Sequence, residues 1–450
     1  MSLSVTRSRP RLSGLQLVEM NLGFLGLQFS FGLQQGNMGP IYSWLGAHEG
    51  ELPILSLAGP VTGLIVQPLV GALSDRTGGR WGQRTPWLVA GALLCALALF
   101  WMPLASSLVM AASLLWLLDA GNNMTMEPYR AYVADRLTPD QRPAGFLVQS
   151  ALTGLAQMLA LATPVVLVGL GMSRDSVDAH GVPHTVRAVF WLGSVLSLAT
   201  ILFSLRRVPE LPLARAERER IAAAPRGLGA ALVEVGAAIR AMPAQMWRLA
   251  LMNLFQWFAL WGYWHYAVYA IARRLYGVAE PASPGFRQAV LTYGAMAAAA
   301  NAIAFVSALA MIPLVRRLGP ARLHAACLVA GGMAMLAVPQ VAEPAWLALP
   351  ALGIGLAWGS IMGNPLGILA AAIPPARTGV YMGIFNMMIV IPMLLFALTM
   401  ARLDLGFAAL GLGLYDRVLG GEPFRLLAVC GGCMMLAALA SLRLRVDAMD

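Results

Sequence analysis

A 450-residue chain that is 59% hydrophobic and 12% charged holds more apolar material than one water-soluble core can bury, and the apolar stretches recur from end to end. Its formal charge of +10 at pH 7 is dispersed between those stretches, as in the cytoplasmic loops of a membrane protein. No zinc-finger spacing or other nucleic-acid module is present, which excludes nucleic acid as the reason for the basic balance.

At about 20 apolar residues per helical crossing, candidate spans fall near 16–38, 52–73, 86–104, 108–134, 144–170, 188–205, 246–271, 288–314, 322–338, 345–371, 378–401 and 424–442. This predicts an all-α membrane protein with twelve transmembrane helices. Sparse charge and segments longer than barrel strands argue against a β-barrel. The basic N-terminal dozen residues precede a long segment without a small-residue cleavage signal, so the first span is expected to be retained.

Near the outer end of the first span, FSFGLQQGNMGPIY places Gln34, Gln35 and Asn37 beside Gly32, Gly36 and Gly39. Amides offer donors and acceptors to hydroxyl-rich ligands, which makes Gln34 and Asn37 candidate substrate contacts; loose glycine packing explains the same residues equally well. In the second span, Gly59 and Gly63 read first as packing positions. The fourth span carries LLWLLDAGNNMTMEPYRAYVAD, with Asp119, Glu127 and Arg130 where a crossing helix should be apolar. Charge in hydrocarbon is retained when it is paired or faces a polar pathway. Asp119 is the candidate proton site, with an inter-helix packing bond as the plain alternative. Asp119 and Arg130 share a helix face but lie some 16 Å apart along the axis, too far for direct contact. Glu127 and Arg130 have the i,i+3 spacing of a local pair, with Pro128 as a potential break between them. Arg130 is a candidate for substrate orientation or carboxylate pairing, and Glu127 for coupling.

Residues 206–245 form the longest polar interruption and divide the chain into halves 1–205 and 246–450, read as two six-helix bundles joined by a cytoplasmic linker. Its ARAERERIAAA run fits a short surface helix. In the seventh span, FQWFALWGYWHY groups Gln256, Trp257, Trp261, Trp264 and His265. Gln256, Trp257 and Trp261 are candidate sugar contacts, against an interfacial aromatic belt as the alternative. The tenth span carries Gly355, Gly359, Gly363 and Gly367 at four-residue intervals, a close-packing stripe, and Asn364 interrupts it as a candidate cavity residue. Cys95, Cys327, Cys430 and Cys433 lie in apolar surroundings, and the CGGC run has neither a redox nor a zinc context. No phosphate loop, HExxH signature or nucleophile elbow occurs, so neither metal nor enzymatic chemistry is expected.

Arginine placement gives the orientation. Arg7, Arg9 and Arg11 precede the first span; Arg76, Arg80 and Arg84 follow the second; Arg136 and Arg142 follow the fourth. Arg206, Arg207, Arg215, Arg218 and Arg220 occupy the linker. In the second half come Arg316, Arg317, Arg322 and Arg377, then Arg443 and Arg445 in the tail. Both termini are expected to be cytoplasmic. Arg273 and Arg274, at the outer end of the seventh span, run against this trend.

Residues 59–86, GPVTGLIVQPLVGALSDRTGGRWGQRTP, resemble the second span and following loop of the major facilitator superfamily, especially its bacterial sucrose and related disaccharide:proton symporters, a glycoside-pentoside-hexuronide:cation symporter-like group related to plant sucrose transporters. Asp75 and Arg76 occupy its SDR unit, Arg84 and Pro86 keep part of its GRRRP pattern, and Gln83 and Thr85 depart from it. Residues 26–46 and 117–135 are similar to the first and fourth spans, with Asp119 and Arg130 on the family's important carboxylate and arginine. Residues 379–392, GVYMGIFNMMIVIP, match the eleventh span and contain Asn386, a further candidate substrate contact; Met393 replaces a glutamine often found next. The resemblance implies alternating access by two six-helix bundles in a bacterial-type cytoplasmic membrane. It implies uptake of a disaccharide, sucrose or maltose, coupled to protons with no other cofactor, by a monomer among membrane lipids. Asp75, Arg76 and Arg84 then form a conformational gate. Transport of another glycoside, different coupling, or a sugar sensor on the same scaffold are the alternatives.

Overall fold

The structure is a computed structural model that describes residues 9–45, 58–173, 176, 178, 182, 184–223, 227–279, 284–400, 403–404 and 409–444. Arg7, Arg445, the side chain of Gln35 and residues 52–57 of the second predicted span lie outside the described residues.

The chain divides into two compact units. The first holds residues 1–242 together with 373–386; the second holds 243–372 and 387–450. Helices of the first unit are α1 (Gly14–Trp44), α2 (Ala58–Asp75), α3 (Thr85–Trp101), α4 (Leu108–Arg136), α5 (Arg142–Gly169) and α6 (His184–Arg207). Two short helices follow, α7 (Arg215–Ala223) on the basic run and α8 (Leu228–Arg240), which sequence reading did not separate. Within this unit α1 lies along α5 and α6, while α4 lies along α2 and α3. Phe29, Leu33, Tyr42, Leu99 and Phe190 sit in its apolar core.

The rest of the chain forms α9 (Ala244–Tyr276), α10 (Pro284–Leu318), α11 (Pro320–Ala337), α12 (Ala348–Ile361), α13 (Asn364–Ala372), α14 (Thr378–Met400), α15 (Leu414–Arg417) and α16 (Pro423–Ser441). Between α14 and α15 two-residue strands β1 (Leu403–Asp404) and β2 (Ala409–Leu410) pair antiparallel, Leu403 opposite Leu410. In the second unit α9 packs on α16 and α10, and α12 on α10 and α11.

Eight of the described helical segments are long and apolar enough to cross a membrane: Thr85–Leu104, Pro139–Pro164, His184–Arg207, Thr292–Leu318, Pro320–Gln340, Pro344–Ala372, Thr378–Met400 and Pro423–Ser441. The long helices α1, α2, α4 and α9 are not among them. These four carry Gln34 and Asn37, Gln67, the charges Asp119, Glu127 and Arg130, and Gln256. The helices richest in candidate functional groups thus dilute their own hydropathy.

Local chemistry sets the ends and kinks. Ser107 caps α4 by accepting the Met110 amide at 3.2 Å, and Gly277, at φ +62°, closes α9 in the left-handed conformation. Pro68, Pro128, Pro164, Pro313 and Pro392 lie inside helices. The expected tenth span is two helices, broken at Met362 and Gly363. Pro365 has no N–H for the Ile361 carbonyl and disfavours helical geometry at Asn364, so the run stops and restarts there. On the α12 side of the break the glycine stripe packs as expected. A methyl group on Gly355 would sit 2.6 Å from the Ala300 carbonyl, and one on Gly359 2.8 Å from Ser307 Oγ. Arg273, which opposed the charge trend, pairs with Glu422 at 2.9 Å.

Candidate functional site

The midsection of α4 is the most polar stretch buried in the first unit. Asp119 is wholly buried. Gln34 Nε2 on α1 donates to its Oδ1 at 2.8 Å, and Oδ2 has no hydrogen-bond partner among the described residues. One turn along, Asn123 Nδ2 donates to Thr62 Oγ1 and to the Asp119 carbonyl, both at 2.8 Å, while its Oδ1 accepts from Gln67 Nε2. Asn122 Oδ1 accepts from Ser30 Oγ at 3.2 Å and from the Cys95 thiol at 3.1 Å. Thr62 and Gln67 come from α2, so a network of amides and hydroxyls from α1, α2 and α4 runs beside one carboxyl group, which Gln34 bonds directly. Such groups offer donors and acceptors together, and the carboxyl oxygen left over is where a proton can reside.

Two turns further, Arg130 Nη1 donates to Glu127 Oε1 at 2.7 Å, with the side chains 4% and 0% exposed. Helix α4 continues through Pro128, so the i,i+3 pair survives the residue expected to threaten it. Glu127 Oε2 and Arg130 Nε have no partner among the described residues, leaving both members partly unsatisfied and able to take a third group.

A second cluster lies at the end of α2. Asp75 accepts the amides of Gly379 at 3.0 Å and Val380 at 2.9 Å, the first-turn donors of α14, and so caps that helix against its positive end. Arg84, 2% exposed, pairs with Asp75 at 2.6 Å and with Asp135 at 3.0 Å, and donates to Ser74 Oγ at 2.6 Å. Backbone approach makes this possible, since a methyl group on Gly379 would meet the Gly71 carbonyl at 2.4 Å and Arg84 Nη1 at 2.7 Å. Arg76 bonds Glu234 on α8, whose other oxygen lies 3.7 Å from Arg377.

Glu210, from the linker, accepts the amides of Gln83 at 2.8 Å and Arg84 at 2.7 Å, the Thr85 amide, and Thr85 Oγ1 at 2.9 Å. It caps α3 from outside. Gly82, at φ +93°, turns the loop beneath it, where a side chain would collide with Glu210 Oε2 at 2.2 Å. Burial pushes the Glu210 carboxyl above its ordinary range, opposed by these donors and by Arg84. Replacing Glu210 with Ala leaves the amides of Gln83, Arg84 and Thr85, at the entry to α3, without their acceptor and should cost about 1–2 kcal/mol, read as a lower thermal unfolding midpoint; Glu210→Gln, which keeps a carbonyl acceptor, should lose less.

In the second unit the candidates divide. Gln256 and Asn364 are joined through two residues that sequence reading missed. Gln256 Oε1 lies 3.0 Å from His324 Nε2, His324 Nδ1 lies 2.8 Å from Ser360 Oγ, and Asn364 Nδ2 donates to Ser360 Oγ at 2.8 Å. Trp257 packs edge-on against Trp264 and Trp358, ring centroids 6.2 and 6.1 Å away. Trp261 instead lies against His265, ring centroids 4.5 Å apart and planes tilted by 45°. Two candidates are engaged by backbone: Asn37 donates to the Leu33 carbonyl one turn back at 3.0 Å, and Asn386 to the Gly63 carbonyl at 3.1 Å.

Known proteins share both the sequence and the fold. Residues 24–397 match the family model for the Major Facilitator Superfamily. The sucrose transport protein SUC4 of Arabidopsis thaliana is 25% identical over 98% of this chain and 93% of its own length. The general alpha-glucoside permease of Schizosaccharomyces pombe is 30% identical over 30% of the chain and 27% of its own length. Among solved structures, the E. coli fucose:proton symporter FucP superposes with a TM-score of 0.68 at 13% identity, over 96% of this chain and 99% of that one. The proton:xylose symporter XylE superposes with a TM-score of 0.62 at 16% identity, over 94% of each. The chain belongs to the Major Facilitator Superfamily and is a multi-pass integral membrane transport protein.

Proposed function

We propose that this transporter takes up a disaccharide, sucrose or maltose, together with protons by alternating access. The observation that carries the reading is Asp119: a wholly buried carboxyl group with one oxygen held by Gln34 and the other without a partner, set among amides and hydroxyls. A carboxyl group in that setting exchanges charge for neutrality when it takes up a proton, and the neighbouring amides suit a polyhydroxylated cargo. Sequence similarity along nearly the whole chain to a sucrose transport protein supports the same class of cargo.

In this reading twelve spans in a bacterial-type cytoplasmic membrane form two bundles, 1–205 and 246–450, joined by a cytoplasmic linker at 206–245, with both termini on the cytoplasmic side. Proton binding at Asp119 and sugar binding favour the same occluded state, so each ligand biases one transition. Glu127 and Arg130 tie the charge state of α4 to the cargo. Asp75, Arg76 and Arg84 hold the cytoplasmic gate.

The deciding measurement is uptake of sucrose and of maltose into sealed vesicles holding the purified protein, with and without an inward proton gradient. Accumulation that requires the gradient is expected for at least one sugar. Folded, correctly oriented protein that moves neither would overturn the reading.

A further inference from the structure

His324 on α11 is wholly buried, and no step of the proposed transport cycle uses it. Its hydrogen bonds nevertheless impose a direction on a chain of polar groups. Gln256 Nε2 donates to Asn253 Oδ1 at 3.3 Å, so the Gln256 carbonyl faces His324 and accepts from Nε2–H. A neutral imidazole protonated at Nε2 has a bare Nδ1, which accepts the hydroxyl proton of Ser360. The Ser360 oxygen is then an acceptor for Asn364 Nδ2. The Asn364 amide nitrogen also lies 4.0 Å from Met311 Sδ. Asn364 Oδ1 therefore ends the chain as a buried carbonyl with no donor among the described residues. Buried acceptors are nearly always satisfied, and this one stands at the first residue of α13, beside the break from α12.

We propose that His324 is a positioning residue for sugar recognition: acting through Ser360, it turns the Asn364 carboxamide so that its carbonyl oxygen accepts a hydroxyl proton of the cargo. The inference rests on the proposed sugar transport. A chain that only fastened α9, α11 and α12 together would affect stability when cut, and would leave the preference among sugars unchanged.

The test is uptake kinetics in vesicles for sucrose and a set of monodeoxy sucroses, with thermal unfolding recorded for every variant. The unmodified protein is expected to show KM raised about tenfold for one deoxy analogue, the worth of one buried hydrogen bond. Ser360→Ala and His324→Leu are expected to abolish that discrimination while leaving the other analogues in order. His324→Asn, whose side-chain oxygen can still accept the Ser360 proton, is expected to retain it. Folded variants with unchanged analogue ratios would overturn the positioning role and leave sugar transport standing. Failure of the unmodified protein to transport sucrose or maltose would overturn the transport reading itself, and this inference with it.

Discussion

Asp119→Asn is expected to abolish proton-driven accumulation while leaving the protein folded and able to exchange sugar across the membrane. Asparagine keeps an oxygen for the Gln34 amide, 2.8 Å away in the native site, and its bulk matches the carboxyl group, so α1 and α4 lose no packing. What disappears is the exchangeable proton. At one proton per sugar, an inward gradient of about two pH units drives about a hundredfold accumulation, and the substituted protein should reach a ratio of about one. Vesicle uptake with and without the gradient, paired with counterflow of labelled sugar, separates loss of coupling from loss of binding. Accumulation at the native level would remove Asp119 from the coupling mechanism.

Arg84→Ala should be the most destabilising change where α2 meets α3 in the first unit. The guanidinium satisfies Asp75, Asp135 and Ser74 together, and its removal leaves a buried Asp75 carboxylate whose remaining donors among the described residues are the amides of Gly379 and Val380. Removing one member of a buried ion pair costs about 3–5 kcal/mol. The unfolding midpoint should fall, and transport should fall with it because α14 is no longer held firmly at its first turn. Arg84→Lys should rescue little, since an ammonium group lacks the planar fork that serves three partners. The double change Arg84→Ala with Asp75→Asn should recover part of the loss by removing the uncompensated charge, a non-additivity that a double-mutant cycle measures. An unfolding midpoint that Arg84→Ala leaves in place would mean that the cluster carries no structural weight.

Local features were legible in the sequence where their causes are local. Hydropathy located the long apolar helices, and the i,i+3 spacing of Glu127 and Arg130 anticipated a contact made within one helical turn. The four-residue glycine period announced the close approach of α12 to its neighbours. The same period concealed the break at Met362 and Gly363, because a regular stripe reads as an unbroken helix while Pro365 acts on a single hydrogen bond. Glu210, Asp135, Glu234, Ser360 and His324 escaped notice for another reason. Each is unremarkable beside its chain neighbours and acquires its partner only through the fold; His324 and Gln256 are 68 residues apart. Gln256 was legible as a polar group in an aromatic helix, yet its engagement by Asn253 and His324 was not, since nothing in FQWFALWGYWHY points to α11.

The bond from Asp75 to the Gly379 amide joins residues 304 positions apart. During synthesis the loop after α2 therefore leaves the ribosome long before the helix start that satisfies it exists, and the intervening helices must enter the membrane while this carboxylate still lacks those donors. The first unit cannot reach its final form as an independent early product. Its last piece, residues 373–386, is made only after 243–372 of the second unit, so a chain truncated before Gly379 would leave both units incomplete.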